Sequence, residues 1–326
     1  MVRSNLVSIS VSPQSIFQIN ITNTQNTATP VPFQQMIQLP ISQLGLINPY
    51  VRNIGPLRFS YNGSYIPAWL ESISNGVATI WVKLPVSIPA NSSITIDMEV
   101  DPSLNFDGNY WGEAPELSST YGQYDNGANV FPILYQNFQG TSVPSGWVSS
   151  GTVTINNSAT VSWGGYLTTN ATYGLNANQI LDAGFITPIA NAGSAWYQIG
   201  YVSQSGGLSF EPSTAIAWSG DDMPPWFVTE SGGSGTFIQT QFPTGVGNAG
   251  TFNIGTVYWG SSSSDSGMIN YANPITFTTF VPSSPLYIGI NNNQATGAAP
   301  PVATLHWIRL RAYPPNNVMP SVEVIA

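Results

Sequence analysis

Short runs of alternating apolar and polar residues, separated by clusters of turn-forming residues, recur along most of this chain. In residues 78–84, Ala, Ile, Val and Leu alternate with Thr, Trp and Lys, and residues 94–101 show the same alternation. A period of two is typical of β-strands with one buried face. The 31 glycines and 26 prolines are scattered without a period, which fits many strands joined by turns. The pattern predicts an all-β protein.

The turn-rich stretch around residues 101–130 holds five of the fifteen acidic residues and predicts a division of the chain. We predict two β-sandwich domains: an immunoglobulin-like sandwich at 13–110 and a larger sandwich or jelly roll at 131–326. Residues 111–130 are the predicted linker. Residues 1–12 alternate Val and Ile with Ser and form either a first strand or a tail that pairs with a sheet edge of a neighbour.

Charged side chains are rare, with 15 acidic and 6 basic residues and a formal net charge of −9 at pH 7. No basic stripe is present, which argues against a nucleic-acid partner. In strong acid the carboxylates become neutral and the basic side chains, with His306, give a charge of about +7. Few ion pairs are then lost on acidification. We therefore hypothesise an acidic external habitat.

Cysteine is absent, which excludes disulfides, thiol catalysis and thiolate metal sites. No apolar run reaches the length of a membrane span, so we predict no membrane insertion. The first residues, Met1–Ser4, do not open a hydrophobic signal region. Two routes stay open: removal of a signal from a secreted protein, or synthesis in the cytoplasm followed by assembly into a virion.

Several stretches resemble a known family. Residues 17–42 and 55–100, with the strands IPAWLES and ATIWVKLP and the hairpin IPANSSITI, resemble a domain of unknown function common in archaeal and bacterial surface proteins. In that family the domain commonly precedes a concanavalin A-like lectin/glucanase sandwich. Residues 121–147 resemble the beginning of such a sandwich, and HWIRLR at 306–311 resembles its closing strand.

The resemblance implies a concanavalin A-like jelly roll for the second domain. The sequence also resembles proteins of thermoacidophilic archaea and their viruses. It does not fix an activity, because the family mixes lectin-like, structural and enzymatic members.

Three carboxylates, Asp97, Glu99 and Asp101, alternate along one face of a predicted strand. Glycoside hydrolysis requires two carboxylates that flank the glycosidic bond. Laminarinase-type members of the resembled fold carry a Glu-x-Asp-x-x-Glu strand, which differs from this triplet in order and spacing. By the resemblance the triplet also lies in the first domain, so we favour a solvent-facing acidic strand or a cation site over catalysis.

Calcium is the one cofactor that the sequence suggests. Asp101, Asn105 and Asp107 fall close together in a predicted loop with Gly108 and Asn109, and their oxygens can surround a calcium ion. The spacing is not that of an EF-hand loop and the terminal glutamate is missing. An Asx-rich turn is the alternative interpretation.

A candidate ligand-binding site combines Asp221, Asp222, Trp226 and Glu230 in a Gly- and Pro-rich region. Carboxylates there can bind sugar hydroxyls while the indole stacks on the ring face. The alternative is that the aromatic residues of this region, including Trp218, Tyr258 and Trp259, belong to the core or to a sheet surface.

Two further motifs favour structural roles. The glycines Gly245, Gly247 and Gly250 match a dinucleotide-binding spacing, but no βαβ unit follows, so we predict a turn. His306 is the only histidine, which excludes a multi-histidine zinc site. No nucleophile elbow surrounds any serine, so we predict a structural histidine.

Asn-x-Ser/Thr sequons predict glycosylation of an exposed surface, although several arise by chance in a chain so rich in these residues. Sugars there would add the solvation that the few charges do not supply. The five sequon asparagines are Asn20, Asn62, Asn91, Asn156 and Asn170.

Three hypotheses for function follow from these observations. The leading one is a non-enzymatic structural or adhesive component of an external assembly, such as a spike, fibre or capsid-decorating protein of an archaeal virus. Its expected partners are copies of itself, other virion or surface proteins and cell-surface glycans. The second is a secreted archaeal cell-surface or filament protein, and the third is an extracellular glycoside hydrolase.

Overall fold

The strands of this chain belong to two units, and the chain leaves the first unit and later returns to it. The computed structural model describes residues 14–42, 54–162, 164–174, 178–187, 195–204, 211–219, 225–233, 235–294 and 302–325. Unit 1 comprises Met1–Val130 and Pro314–Ala326, and unit 2 comprises Phe131–Tyr313. The all-β fold class with two sandwich domains is confirmed. The N-terminal alternation within residues 1–12 lies outside the described residues.

Within the described residues, unit 1 includes nine strands and a short helix. They are β1 (Ser15–Asn23), β2 (Phe33–Pro40), β3 (Leu57–Tyr61), β4 (Ser64–Tyr65), β5 (Ala68–Ser74), β6 (Val77–Leu84), β7 (Ser92–Val100), β8 (Trp111–Glu113), α1 (Gly127–Val130) and β24 (Ser321–Ile325). A five-stranded sheet has the order β24-β1-β7-β3-β4, and a four-stranded sheet has the order β2-β6-β5-β8.

The predicted burial pattern of β6 and β7 is confirmed with one difference. Ile80 and Val82 of β6 are buried, as are Ile96 and Met98 of β7. Trp81, expected on the opposite face of β6, is also fully buried, and its indole N–H donates to a Glu71 carboxylate oxygen at 2.8 Å. Strand β6 is therefore covered on both faces.

The predicted linker at 111–130 is instead an integral part of unit 1. Trp111 is fully buried in β8, which pairs in parallel with β5. The Asn126 side chain donates to the Ala68 carbonyl at 3.1 Å, and Asp125 accepts from the Trp69 indole at 2.8 Å. The acids and amides of this stretch bond to the sheet because its buried polar groups need partners.

The predicted boundary of the second domain is corrected at its C-terminal end. Residues 314–326 belong to unit 1, because β24 pairs antiparallel with β1 from Gln18↔Ile325 to Thr22↔Ser321. The chain thus passes from unit 1 through unit 2 and back to unit 1. Nothing in the local pattern of SVEVI distinguishes it from a strand of the preceding domain.

Unit 2 is the larger jelly roll. Its strands are β9 (Leu134–Gln136), β10 (Trp147–Ser150), β11 (Val153–Ile155), β12 (Ala159–Val161), β13 (Tyr166–Tyr173), β14 (Gln179–Ile186), β15 (Ala195–Val202), β16 (Ser213–Ser219), β17 (Trp226–Glu230), β18 (Phe237–Gln241), β19 (Phe252–Ser261), β20 (Ser264–Ile269), β21 (Ala272–Phe277), β22 (Leu286–Gln294) and β23 (Thr304–Ala312).

The strands of unit 2 form two sheets with one apolar core. A seven-stranded sheet has the order β10-β13-β22-β15-β16-β17-β18, and an eight-stranded sheet contains β11-β12-β23-β14-β19-β20-β21 with β9 beside β23. The core includes Ile199, Trp218 and Phe227 of the first sheet and Leu181 and Val257 of the second. Alternate residues of each strand therefore lie on the outer faces.

Candidate functional site

The outer face of the seven-stranded sheet is the candidate site. Tyr197, Ile199 and Tyr201 of β15 lie in the core, so Gln198 and Gly200 lie on the opposite, outer face. Residues paired across an antiparallel sheet share a face. The register therefore identifies which side chains of the neighbouring strands lie on this outer face.

One row of this face crosses six strands. It contains two aromatic residues, three residues with side-chain amides and one alanine, in the order Tyr166, Asn291, Gln198, Ala217, Trp226 and Gln241. Aromatic rings and amides are the groups that proteins use to stack on and hydrogen-bond to polar ring compounds. The composition of the row therefore suits an uncharged polar ligand.

The adjacent row of the outer face consists mainly of small residues. Gly289, Gly200 and Ala215 pair in sequence across β22, β15 and β16. A Cβ atom at Gly200 would lie 2.6 Å from the Thr214 carbonyl oxygen, so a larger residue does not fit there. With Val228, Ala215 belongs to a buried apolar cluster on this face. The row from Tyr166 to Gln241, called the amide row below, thus borders a strip of small side chains.

Hydrogen bonding within the outer face is incomplete. The Gln198 amide donates to the Ser213 hydroxyl at 3.1 Å, and both side chains are buried. Within the described residues, the buried indole N–H of Trp226 and the buried amide oxygen of Gln239 have no hydrogen-bond partner. One donor and one acceptor on neighbouring strands are thus buried without a partner in the described part of the chain.

The structure describes two of the four predicted ligand-binding residues. Trp226 and Glu230 begin and end β17 and share the outer face, because they pair with Ala217 and Ser213 of β16. Glu230 is the one acidic residue in the described strands of this sheet, and it is 7% exposed. Asp221 and Asp222 lie outside the described residues.

The side-chain oxygens of the predicted calcium loop bond to groups of the protein itself. One oxygen of Asp107 accepts the backbone N–H groups of Asn109, Tyr110 and Trp111 at 2.8–3.0 Å. The other oxygen pairs with the Arg58 guanidinium at 3.0 Å. Asp107 therefore closes an Asx-rich turn, which was the alternative interpretation.

The other two predicted calcium ligands are likewise engaged in local turns. Asp101 accepts the backbone N–H of Ser103 at 2.8 Å, and Asn105 accepts that of Phe106 at 2.9 Å. Among the described residues, no group of three or more His, Cys, Asp or Glu side chains is placed to hold a metal ion.

The carboxylates of β7 lie on the outer face of the five-stranded sheet. Glu99 accepts the Tyr65 hydroxyl at 2.9 Å and the Gln14 amide at 2.6 Å. Asp97 pairs in register with Gln18 and Ser60. These acids are half-buried, and they belong to a different unit from the candidate site.

The sequon asparagines differ in exposure. Asn62 and Asn91 are exposed and adopt positive φ angles of 50°, which places them at turns. Asn156 and Asn170 are also exposed. Asn20 is half-buried in the middle of β1, between Glu323 of β24 and Thr95 of β7.

The glycine motif and the single histidine both have the surroundings expected of residues with a structural role. Gly245, Gly247 and Gly250 all adopt positive φ between β18 and β19, as expected of a glycine-rich turn. His306 lies on β23 with its ring centroid 5.8 Å from that of Phe252, and burial lowers its pKa.

The aromatic residues named as core candidates pack against other residues of unit 2. Trp218 and Trp259 are in the core, whereas Tyr258 stacks on Tyr313 at 4.0 Å. None of these three rings is on the outer face of the seven-stranded sheet.

A buried ion cluster on the outer face of the eight-stranded sheet was not anticipated. Asp182 accepts hydrogen bonds from Arg309 at 3.0 Å, from Arg311 at 2.7 Å and from the Thr256 hydroxyl at 2.8 Å. The Arg309 guanidinium also lies 4.3 Å from the Phe131 ring centroid. Two arginines in a largely apolar strand were the available signal, because buried charges require partners.

Comparison with known proteins gives one family match and one viral relative. Residues 53–105 match the family described as Domain of unknown function (DUF2341). "Uncharacterized protein 562" of Sulfolobus islandicus rod-shaped virus 1 is 41% identical over 134 residues, which cover 40% of this chain and 24% of that protein. The match thus spans about a quarter of the length of the viral relative.

Solved structures resemble a little over half of the chain. A β-glucanase of Bacillus licheniformis is 16% identical, with 55% of this chain and 97% of that chain covered and a TM-score of 0.42. A Mycobacterium tuberculosis protein described as an immunostimulatory antigen and pseudo beta-1,3-glucanase is also 16% identical, with 55% and 98% covered and a TM-score of 0.36. Neither similarity bears on the activity of this chain.

Within the described residues, no helix has the length and apolar character to cross a membrane.

Proposed function

We propose that this protein is a non-enzymatic structural or adhesive component of an archaeal virus particle that binds a glycan of the host surface. Unit 2 presents the binding face, and unit 1 anchors the protein to its neighbours. The proposal combines a viral relative, a candidate ligand-binding face and a surface with few charges.

The viral relative supports the assignment to a virus. It shares 41% identity over 134 residues with this chain and comes from a rod-shaped virus of an archaeon. With only 21 acidic and basic residues in 326, the surface depends on hydroxyls and amides for solvation. Such a surface suits an external and acidic environment, since its solvation varies little with pH.

The observation that carries the glycan proposal is the unpaired donor and acceptor beside the amide row. The Trp226 indole N–H and the Gln239 oxygen lack partners among the described residues, whereas sugar hydroxyls both donate and accept hydrogen bonds. A half-buried tryptophan also provides a flat apolar surface for a sugar ring. The neighbouring strip containing Gly200 and Ala215 carries only small side chains.

The outer face does not favour hydrolysis. Cleavage of a glycosidic bond with either stereochemical outcome requires two carboxyl groups about 5–10 Å apart. Among the described strands of the seven-stranded sheet, Glu230 is the one acidic residue. We therefore propose binding without turnover.

A glycan array screened with the full chain at pH 3–4 and at pH 7 tests the proposal, together with reducing-end assays on every glycan bound. Binding of a defined glycan class without release of reducing ends is the expected result. Hydrolysis, or the absence of binding to host-envelope glycans, would contradict it. Mass spectrometry of purified particles tests the location, because a virion component is retained through particle purification.

A further inference from the structure

Asp265 of β20 is a buried acid that the proposed function does not use. It is fully buried, and residues of β20 on the same face, such as Ile269, lie in the core of unit 2. Neither oxygen of its carboxylate has a hydrogen-bond partner among the described residues. An ionised carboxylate in such a place is strongly disfavoured unless a cation or several donors compensate its charge.

The surroundings of Asp265 are polar but carry no compensating cation among the described residues. In register it pairs with Trp259 of β19 and Phe277 of β21. Thr214 of β16 and Thr229 of β17 face it from the opposite sheet. Their hydroxyls are near enough to favour the ionised carboxylate and lower its pKa, although neither makes a well-formed hydrogen bond to it. None of these four neighbours titrates in the accessible pH range.

The Tyr201 phenol is a titratable side chain beside two neighbours of Asp265. Tyr201 pairs with Thr214 and contacts Trp259 at a ring distance of 5.4 Å. Burial raises its pKa well above its usual value, so it is neutral throughout the pH range of interest. Among the charged groups of the adjacent strands, Asp182 lies on the outer face of its own sheet, and Glu230 lies on the outer face of the other.

Several interior polar atoms of this cluster lack partners. Within the described residues, the Tyr201 hydroxyl and the Trp259 indole N–H have no hydrogen-bond partner, and the Thr214 hydroxyl makes no well-formed hydrogen bond. A carboxylic acid differs from a carboxylate in having an O–H donor. Protonation of Asp265 removes the buried charge and supplies a donor for the Thr214 oxygen.

We propose that Asp265 is a proton-binding site in the interior of unit 2, which makes the jelly roll more stable in acid than at neutral pH. The ligand is a proton, and the unfolded chain binds it more weakly because its carboxyl group is in water. The site is a stabilising device for an acidic habitat.

The direction of the effect follows from linkage. Burial raises the pKa of Asp265 to about 6, and the Thr229 and Thr214 hydroxyls oppose this only in part. Its stabilising contribution is therefore complete below the unfolded value of 3.8 and is lost as pH rises through about 6. A difference of about two pKa units corresponds to roughly a hundredfold change in the folding equilibrium.

Denaturant unfolding of the full chain and of Asp265→Asn between pH 3.5 and 7.5 tests the proposal. Asn is neutral at every pH, so the variant is expected to gain stability relative to the natural chain as pH rises, by roughly a hundredfold between pH 4 and pH 7. Asp97→Asn, at a half-buried acid on the surface of unit 1, is the control and should show no such gain. A constant difference across the pH range for Asp265→Asn overturns the proposal.

A measurement of proton release keeps the test decisive if Asp265→Asn does not fold. The natural chain at pH 5 should release close to one proton from Asp265 on unfolding, and carbon-13 carboxyl shifts should show one acid titrating near pH 6. A titration at or below pH 4 for every carboxyl group overturns the proposal. So does a rise in stability at pH 7 with sodium chloride but not with choline chloride, which would show that the cluster binds a metal cation.

Discussion

Asp182 of β14 and Arg309 of β23 lie opposite each other in register and form an ion pair of 3.0 Å in which neither side chain is exposed. Arg311 adds a second pair to the same carboxylate at 2.7 Å. One carboxylate thus compensates two guanidinium groups on a covered sheet face. Removal of Asp182 leaves two buried cations without their counter-charge.

We expect Asp182→Asn to lower the free energy of unfolding by about 3–5 kcal/mol, because breaking a buried pair leaves an uncompensated charge. Denaturant unfolding at pH 6 measures the loss. The matched substitution Asp97→Asn at a half-buried surface acid should change stability by about 0.5 kcal/mol or less. An equal effect of the two substitutions would show that the cluster contributes little.

The same cluster should keep its full contribution to stability down to about pH 4. Burial raises the pKa of Asp182, but Arg311 and Arg309 outweigh it and hold the pKa below the usual 3.8. A depressed pKa gives stability that is present above the unfolded value and is lost only as pH falls through the folded value. The difference between the natural chain and Asp182→Asn should therefore stay constant from pH 7 to about pH 4 and decline only below that.

Trp226 should dominate binding of glycans to unit 2. We expect Trp226→Ala to weaken binding at least tenfold, because it removes both the stacking surface and the unpaired indole N–H, and Trp226→Phe to lose less. Isothermal titration calorimetry with the glycan found by array measures both. Phe280→Ala, at a ring that is 41% exposed elsewhere in unit 2, is the control. Equal losses from the alanine variants would argue against the outer face.

Calcium should not stabilise the loop at Asp107. Both carboxylate oxygens are already bonded, one to three backbone N–H groups and the other to Arg58. We expect the melting temperature in millimolar calcium to match that in chelator within about 1 °C. Asp107→Ala should lower it with or without the ion, since the turn loses its acceptor. A calcium-dependent rise abolished by Asp107→Ala would support the predicted metal site.

Glycosylation should follow exposure. We expect occupancy among Asn62, Asn91, Asn156 and Asn170, and none at Asn20, which is half-buried between two paired strands. Glycopeptide mass spectrometry of the natively produced protein measures each site. Occupancy at Asn20 would mean that modification precedes the pairing of β24 with β1.

The sequence predicted the fold class because burial alternates along strands such as β7, where Ile96 and Met98 are fully or almost fully buried. It placed Trp226 and Glu230 together because they are four residues apart on one strand. It did not predict the role of Asp182, because its partners lie 127 and 129 residues further along the chain. The local sequence shows only one sign of such a long-range pairing, which is a charged residue within an apolar strand.

The return of the chain to unit 1 has a consequence for synthesis. The five-stranded sheet includes β24, which follows all fifteen described strands of unit 2 in the sequence. A nascent chain can therefore close the edge of its first sheet only after the ribosome has translated the whole of the second unit. Until then β1 exposes unpaired backbone groups, and a chaperone or a second chain can reach that edge before β24 does.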